Sequence, residues 1–222
     1  MATTDYERYI RTDELLALQK RPEELANPDE LLFQVIHQTF ELWFKVCLAD
    51  VEQIVRHTGA GHAHRAAQLL RRTVLILGVL TDQLAVLETM TPADYHVIRL
   101  SLGRGSGQDS PGFGKMLQIG EPLWTAFQAA LAQRGTTPFD LQREPDRHYD
   151  LFQLMQGLLD LDERFVRWRF CHFQLVRRVI GEEVKSLKGV PAAQLVHGMR
   201  EYLFPELWAA VNQVTRATNP VY

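Results

Sequence analysis

Cysteine is nearly absent from this chain: of 222 residues only Cys47 and Cys171 carry thiols. Two cysteines build neither a disulfide scaffold nor a cysteine-rich structural zinc site. A dominant charge is lacking too. The formal net charge is −3, which gives no general pull toward nucleic acid or an anionic membrane. The basic pairs Arg71-Arg72 and Arg177-Arg178 read as solvated helix faces rather than phosphate sites. Long apolar runs are missing, and nothing approaches the roughly 20 residues of a transmembrane helix. The opening MATTDYERYIRTDELL carries acids where a secretion signal needs a basic region and an apolar run. These absences lead to the expectation of a cytoplasmic protein with no nucleic-acid or membrane partner.

Strand alternation is also scarce, and no internal repeat or low-complexity tail stands out. What is present is helical periodicity, with 46% hydrophobic residues to bury a core. The pattern predicts a short helix over Asp5–Gln19. A second starts with Asn27 as N-cap, Pro28 at the first helical position and Glu30 completing a capping box, and runs to His57 before Gly59 and Gly61. A third covers His62–Glu88, and Thr91 caps a short one reaching Leu102. Five glycines make Gly103–Gly114 a loop. Then come a helix over Pro122–Arg134, a polar linker GTTPFDLQREP, a long helix over Asp146–Ile180, and shorter ones at Pro191–Leu203 and Pro205–Thr218. The expected fold is all-α, a helical bundle in one domain spanning residues 1–222.

Two histidines interrupt apolar stripes. On the long helix, steps of three and four give Leu154, Leu158, Leu161, Phe165, Trp168, His172, Leu175 and Val179, with His172 the single ionisable member. The earlier helix repeats this with Phe33, His37, Phe40, Phe44, Val51 and Ile54. A lone imidazole on such a face is more often a satisfied core residue than a ligand. Two of them on aromatic-rich helices point to a shared buried site. Trp, Phe and Leu around one imidazole is the lining of a porphyrin slot, with the histidine as axial iron ligand.

Other metal and nucleophile sites fit less well. A carboxylate-bridged di-iron bundle needs Glu-x-x-His pairs, and none of the eight histidines has one. There is no His-Glu-x-x-His helix and no Gly-x-Ser-x-Gly elbow. The glycine loop lacks a Gly-Lys-Ser/Thr ending and a preceding strand, so it is no phosphate cradle. No Cys-x-x-Cys-His sequence occurs, which excludes covalent heme attachment of that type. A further pair, Tyr95 and Arg99, lies four apart on one helix face. Arginine offers a planar fork for a carboxylate such as that of an amino acid. Alone, the pair reads equally as a surface arginine beside a partly buried tyrosine.

These residues coincide with motifs of the tryptophan 2,3-dioxygenase family. DELLFQVIHQTFELWFK (Asp29–Lys45) resembles the family's distal helix, in which Phe33 and His37 take positions facing bound indole. TPADYHVIRLSLG (Thr91–Gly103) resembles the segment whose Tyr and Arg contact substrate, matching Tyr95 and Arg99. WRFCHFQLVRRVIG (Trp168–Gly181) resembles the segment with the proximal heme ligand, which places that role on His172 with Trp168 beside it. DYERYIRTDELLALQ resembles a helix reaching into a neighbouring subunit's active site, with Tyr6, Tyr9 and Ile10 at the contacting positions, and FPELW (Phe204–Trp208) matches near the C-terminus.

The resemblance implies a bundle enclosing non-covalent heme b, with O₂ as co-substrate and a homo-oligomer, tetramer or dimer, in which residues 1–20 contact a neighbour. It implies oxidation of the indole C2–C3 bond of L-tryptophan or a close analogue, opening the ring to an N-formylkynurenine-type product. Some features differ. EEVKSLKGV (Glu182–Val190) is shorter than the family's Gly/Thr-rich loop and lacks its threonine. Helical material between the Arg99 segment and the proximal helix is missing, and GSGQDSPGF stands in place of an SGFQS-like run. A second reading is therefore insertion of one oxygen atom into a substituted tryptophan or another aromatic amino acid, giving a hydroxylated or 2-oxindole product. A non-catalytic heme sensor is a third, against which the Tyr95–Arg99 pair argues. A structural bundle whose histidines bind nothing is a fourth.

Overall fold

The computed structural model describes residues 4–103, 105, 107–181 and 201–218. Helices α1 (Asp5–Ile10) and α2 (Thr12–Leu16) form an N-terminal arm in which no residue is buried. One helix over Asp5–Gln19 is thus corrected to two. Arg11 takes a left-handed φ of 55°, its amide closing on the Glu7 carbonyl, and this ends one helix and starts the next. Thr4 and Glu7 cap α1 reciprocally, the Glu7 amide donating to Thr4 Oγ1 at 3.2 Å and the Thr4 amide to Glu7 Oε2 at 2.7 Å.

The body is built on α3 (Asp29–Gly59) and α4 (Ala63–Leu87), a hairpin joined by three residues, with α9 (Tyr149–Val179) packed on α4. At the start of α3 the Glu30 amide donates to Asn27 Oδ1 at 3.1 Å, as the capping pattern predicts. The return bond is shifted: the Glu30 carboxylate accepts the Ala26 amide at 2.6 Å, and Pro28 sits at the cap instead of inside the helix. Gly157 of α9 lies where α4 comes closest. A Cβ there would stand 3.2 Å from Leu70 Cδ1 and 3.3 Å from Leu70 Cβ. A mid-helix glycine, ordinarily worth about 1 kcal/mol of lost helix stability, here lets two helices approach.

Helices α5 (Pro92–Ser101), α6 (Pro111–Met116) and α7 (Gly120–Arg134) pack on α3, and α8 (Pro138–Arg143) packs on α9 and α10 (Pro205–Ala217). Two of these correct the sequence expectation. Inside the expected glycine loop, Ser110 Oγ accepts the Phe113 amide at 3.1 Å and so caps α6. Inside the expected linker, Thr137 and Asp140 form a capping box that starts α8. A 3₁₀ turn, Pro145–His148, precedes α9. Of the expected helix Pro191–Leu203, residues 191–200 lie outside the described residues, and 201–203 are not helical.

Two buried carboxylates stitch the body. Asp162 of α9 accepts the Leu203 amide at 2.9 Å, the Phe204 amide at 3.1 Å and Trp208 Nε1–H at 2.9 Å, tying α10 to α9. Asp50 of α3 accepts two hydrogen bonds from the Arg72 guanidinium of α4, so Arg72, exposed as expected, also ties the two helices together. Burial and then the Asp50 charge push the neighbouring Cys47 thiol up to about 12, so it stays protonated. One continuous core runs through α3, α4, α7 and α9, with Phe44, Leu70, Leu77, Phe127 and Phe165 enclosed. Among the described residues there is no strand, and no single helix is long and apolar enough to cross a membrane.

Candidate functional site

Helices α3 and α9 face one another with their aromatic stripes. Contact is closed in the middle, where Trp168 meets Phe40 at 6.0 Å and Phe44 at 6.2 Å between ring centroids, both edge-on. Toward one end Phe33, His37 and His172 are only half-buried although they lie on these inward faces. His172 stacks on Trp168 at 5.3 Å with 11° between planes. His37 lies 4.0 Å from the Phe33 ring and 6.1 Å from Phe40. The two imidazoles thus sit near one another on the facing aromatic sides of α3 and α9, at positions 37 and 172.

Both are held neutral. Burial, and then the charge of His37, push His172 down to about 4. Burial lowers His37 as well, partly offset by its backbone hydrogen bond. His37 Nδ1 is 2.7 Å from the Phe33 carbonyl oxygen. A carbonyl only accepts, so Nδ1 carries the proton and the Nε2 lone pair is left for another partner.

Tyr95 enters from α5, its ring 6.0 Å from Phe33. Burial raises its phenol, and the nearby Arg99 charge opposes that rise, so the hydroxyl stays protonated at neutral pH. Arg99 is half-buried one turn further along α5. Helix α5 is positioned by Glu30, whose buried carboxylate accepts Lys20 Nζ–H at 2.6 Å and the Ser101 hydroxyl at 3.1 Å, while Asn27 Nδ2–H donates to the Asp94 carbonyl at 2.8 Å. Six sequence-selected residues therefore gather here: Phe33, His37, Tyr95, Arg99, Trp168 and His172. Tyr6, Tyr9 and Ile10 do not join them. They stand on the arm, with Tyr6 71% and Tyr9 88% exposed. Glu182–Val190 lies outside the described residues.

Phe113 was hidden in the sequence. It sits in a glycine-rich stretch with no periodicity, yet its ring lies 5.2 Å from Trp168. The Ser110-Pro111 pair, an N-cap followed by proline, is the signal that would have placed a helix there. A cleft of about 600 Å³ lined by Trp124, Thr137, Phe139 and Ala210 lies elsewhere, between α7, α8 and α10, and holds no histidine.

Do these residues suit a porphyrin? Among the described residues, no group of three or more His, Cys, Asp or Glu side chains is placed to hold a metal ion. A porphyrin needs only an axial donor from the protein, because its ring supplies the in-plane nitrogens. A neutral imidazole set in an aromatic wall is such a donor. Trp168 Nε1–H is buried and makes no hydrogen bond among the described residues, although its residue is only 4% exposed. A buried donor without a partner is costly, and a polar group bound beside it would satisfy it. The residues fit.

Comparison with known sequences agrees with that chemistry. The sequence model of the family described as tryptophan 2,3-dioxygenase matches residues 1–122. The tryptophan 2,3-dioxygenase of Caulobacter vibrioides is 32% identical across 92% of this chain and 96% of its own length. The chain belongs to the tryptophan 2,3-dioxygenase family. The tryptophan 2,3-dioxygenases of Erythrobacter litoralis and Herpetosiphon aurantiacus are each 31% identical, over 91% and 92% of this chain. The family is heme-dependent and uses O₂. The match to the Caulobacter protein runs over 254 positions, more than the whole of this chain, so that relative carries material missing here.

Proposed function

We propose that this chain is a heme-dependent oxygenase that uses O₂ to oxidise the indole C2–C3 bond of L-tryptophan or a close analogue, opening the ring to an N-formylkynurenine-type product. The observation that carries the reading is the pair of neutral, half-buried imidazoles on the facing aromatic sides of α3 and α9. His172 would hold the heme iron, with Trp168 packed flat against its ring. Heme, when bound, supplies the iron at which O₂ is taken up and its oxygen passed to the substrate.

The protein's own part is placement. Phe33 flanks the substrate side and offers flat apolar surface to an indole. His37, with its proton fixed on Nδ1 by the Phe33 carbonyl, presents the Nε2 lone pair to the indole N–H and sets which edge of the ring faces the iron. Arg99 pairs with the substrate carboxylate, and the protonated Tyr95 hydroxyl donates beside it. Each residue restricts the orientation of the substrate, and orientation is where such a site gains rate. Water is kept from the reacting carbons by the aromatic lining.

The exposed arm supports a role between subunits. Tyr6, Tyr9 and Ile10 present exposed apolar surface among the described residues, which suits closure of a neighbour's site in a homo-oligomer, a tetramer or a dimer. A second reading, insertion of a single oxygen atom, is supported by the material this chain lacks relative to the Caulobacter protein, since less protein is then available to enclose the site.

One experiment separates these. Ferrous heme-loaded protein is supplied with L-tryptophan and isotopically labelled O₂, and products are weighed by mass spectrometry. Two labelled atoms in a ring-opened product support the first reading, and one labelled atom supports the second. Loss of the histidine-ligated spectrum in His172→Ala is the expected companion result, and an unchanged spectrum would remove the ligand assignment.

A further inference from the structure

Glu41 stands one turn beyond His37 on α3, and no role described above uses its carboxylate. That carboxylate reaches the segment entering α6. Oε1 accepts the Ser110 hydroxyl, and Oε2 accepts the Gly112 amide at 3.1 Å. Gly112 is buried with no room for a side chain: a Cβ would stand 2.6 Å from Glu41 Oε2 and 2.9 Å from Phe44 Cβ. The backbone is thus seated on α3 at its closest approach, by two hydrogen bonds to a charged acceptor.

The next residue is Phe113. Its ring lies 6.2 Å from Phe44, 6.2 Å from Phe165 and 5.2 Å from Trp168. Trp168 in turn lies flat on His172. A continuous line of contacts therefore runs from the carboxylate on α3 to the imidazole on α9. Metal-binding histidines are normally oriented by a hydrogen bond on the second ring nitrogen. Among the described residues the His172 ring makes none, so its orientation falls to packing, and Trp168 is the ring in parallel contact with it.

We propose that Glu41 is a positioning residue for the proximal histidine: it pins Gly112, which sets Phe113 against Trp168, which sets the plane of the His172 ring. The proposal rests on the reading of His172 as the iron ligand. The requirement explains why a carboxylate occupies this half-buried position, because two donors converge on it from one short segment.

The test compares heme-loaded wild type with Glu41→Ala, Glu41→Gln and Ser110→Ala. Glu41→Ala is expected to shift and broaden the iron–histidine Raman line of the ferrous protein. Transfer of heme to apomyoglobin is expected to become about tenfold faster, the low end for outer partners of a metal ligand. Glu41→Gln keeps the length and an acceptor oxygen for Gly112 and is expected to restore most of both. Ser110→Ala, which leaves the Gly112 bond intact, is expected to fall between and keeps the test open if Glu41→Ala folds poorly. In heme-free protein the Trp168 indole N–H resonance, assigned with Trp168→Phe, is expected to move in Glu41→Ala. A lowered melting temperature with unchanged Raman line, heme transfer and Trp168 resonance would overturn the proposal and leave Glu41 as a loop anchor. Absence of an iron–histidine line in wild type would instead remove the ligand assignment, and the Trp168 resonance would still decide whether Glu41 sets the indole.

Discussion

At the scale of single residues, His37 is committed through Nδ1 to the Phe33 carbonyl, and this fixes what substitution does. His37→Ala should leave heme binding intact and raise KM for the indole substrate by about tenfold, the worth of one hydrogen bond near 1 kcal/mol plus lost orientation. Unchanged steady-state kinetics would remove its assigned role. Arg99→Ala belongs to the same scale. It should cost roughly 100-fold in kcat/KM for an amino-acid substrate, since a hydrogen bond between charged groups is worth about 1.5–3 kcal/mol. The decarboxylated analogue should be affected far less, and equal effects on the two would rule out the carboxylate pairing.

Among the elements, α10 and α5 depend on buried carboxylates. Asp162→Ala leaves three donors, the Leu203 and Phe204 amides and the Trp208 indole, without their acceptor. The expected loss is about 3 kcal/mol or more, read as a lower urea midpoint, with Asp162→Asn less severe. For Glu30, burial alone would raise the carboxyl, but the Ala26 amide, the Lys20 ammonium and the Ser101 hydroxyl outweigh it and hold it below its ordinary 4.5. A depressed carboxyl stabilises the fold above its unfolded value and loses that contribution as pH falls through the folded one. Wild type should therefore exceed Glu30→Gln in melting temperature at pH 7, and the gap should close well below pH 4.5. A gap independent of pH would mean the charge of Glu30 contributes nothing.

The same elements explain what was legible in sequence. Long helices declared themselves: α3, α4 and α9 follow apolar stripes whose period is set by the core they bury, and the His37 and His172 interruptions stood out because the stripes were otherwise unbroken. Short helices did not. α6 and α8 are six residues each, too brief to show a period, and only their caps, Ser110 and Thr137, mark them. The break at Arg11 was hidden because a left-handed turn there is made by an arginine and not a glycine. Asp162 and Asp50 were passed over because sequence does not say which acids on an amphipathic helix point inward. Glu41 was invisible for the same reason, its partners lying about 70 positions away in a stretch read as loop.

For the whole molecule, the arm of α1 and α2 carries the prediction. Removing residues 1–16, which spares Lys20 and its bond to Glu30, should leave the body folded, because neither helix of the arm buries a residue. Sedimentation or light scattering should report a smaller assembly, and turnover should fall while the Soret band persists. An unchanged assembly and unchanged turnover would show that Tyr6 and Tyr9 serve no neighbour.

The positions of His37 and His172 in the chain also bear on how the protein is made. The two histidines are 135 residues apart in order of synthesis, and α9 is held in turn by groups at positions 203, 204 and 208. A ribosome-bound chain that has released α3 through α8 presents one imidazole without the other. On the proposed reading the second imidazole is in place only once α9 has packed on α4, so the prosthetic group would be acquired after most of the chain has been made. Cells short of heme would then accumulate folded, empty protein that can be filled later without new synthesis.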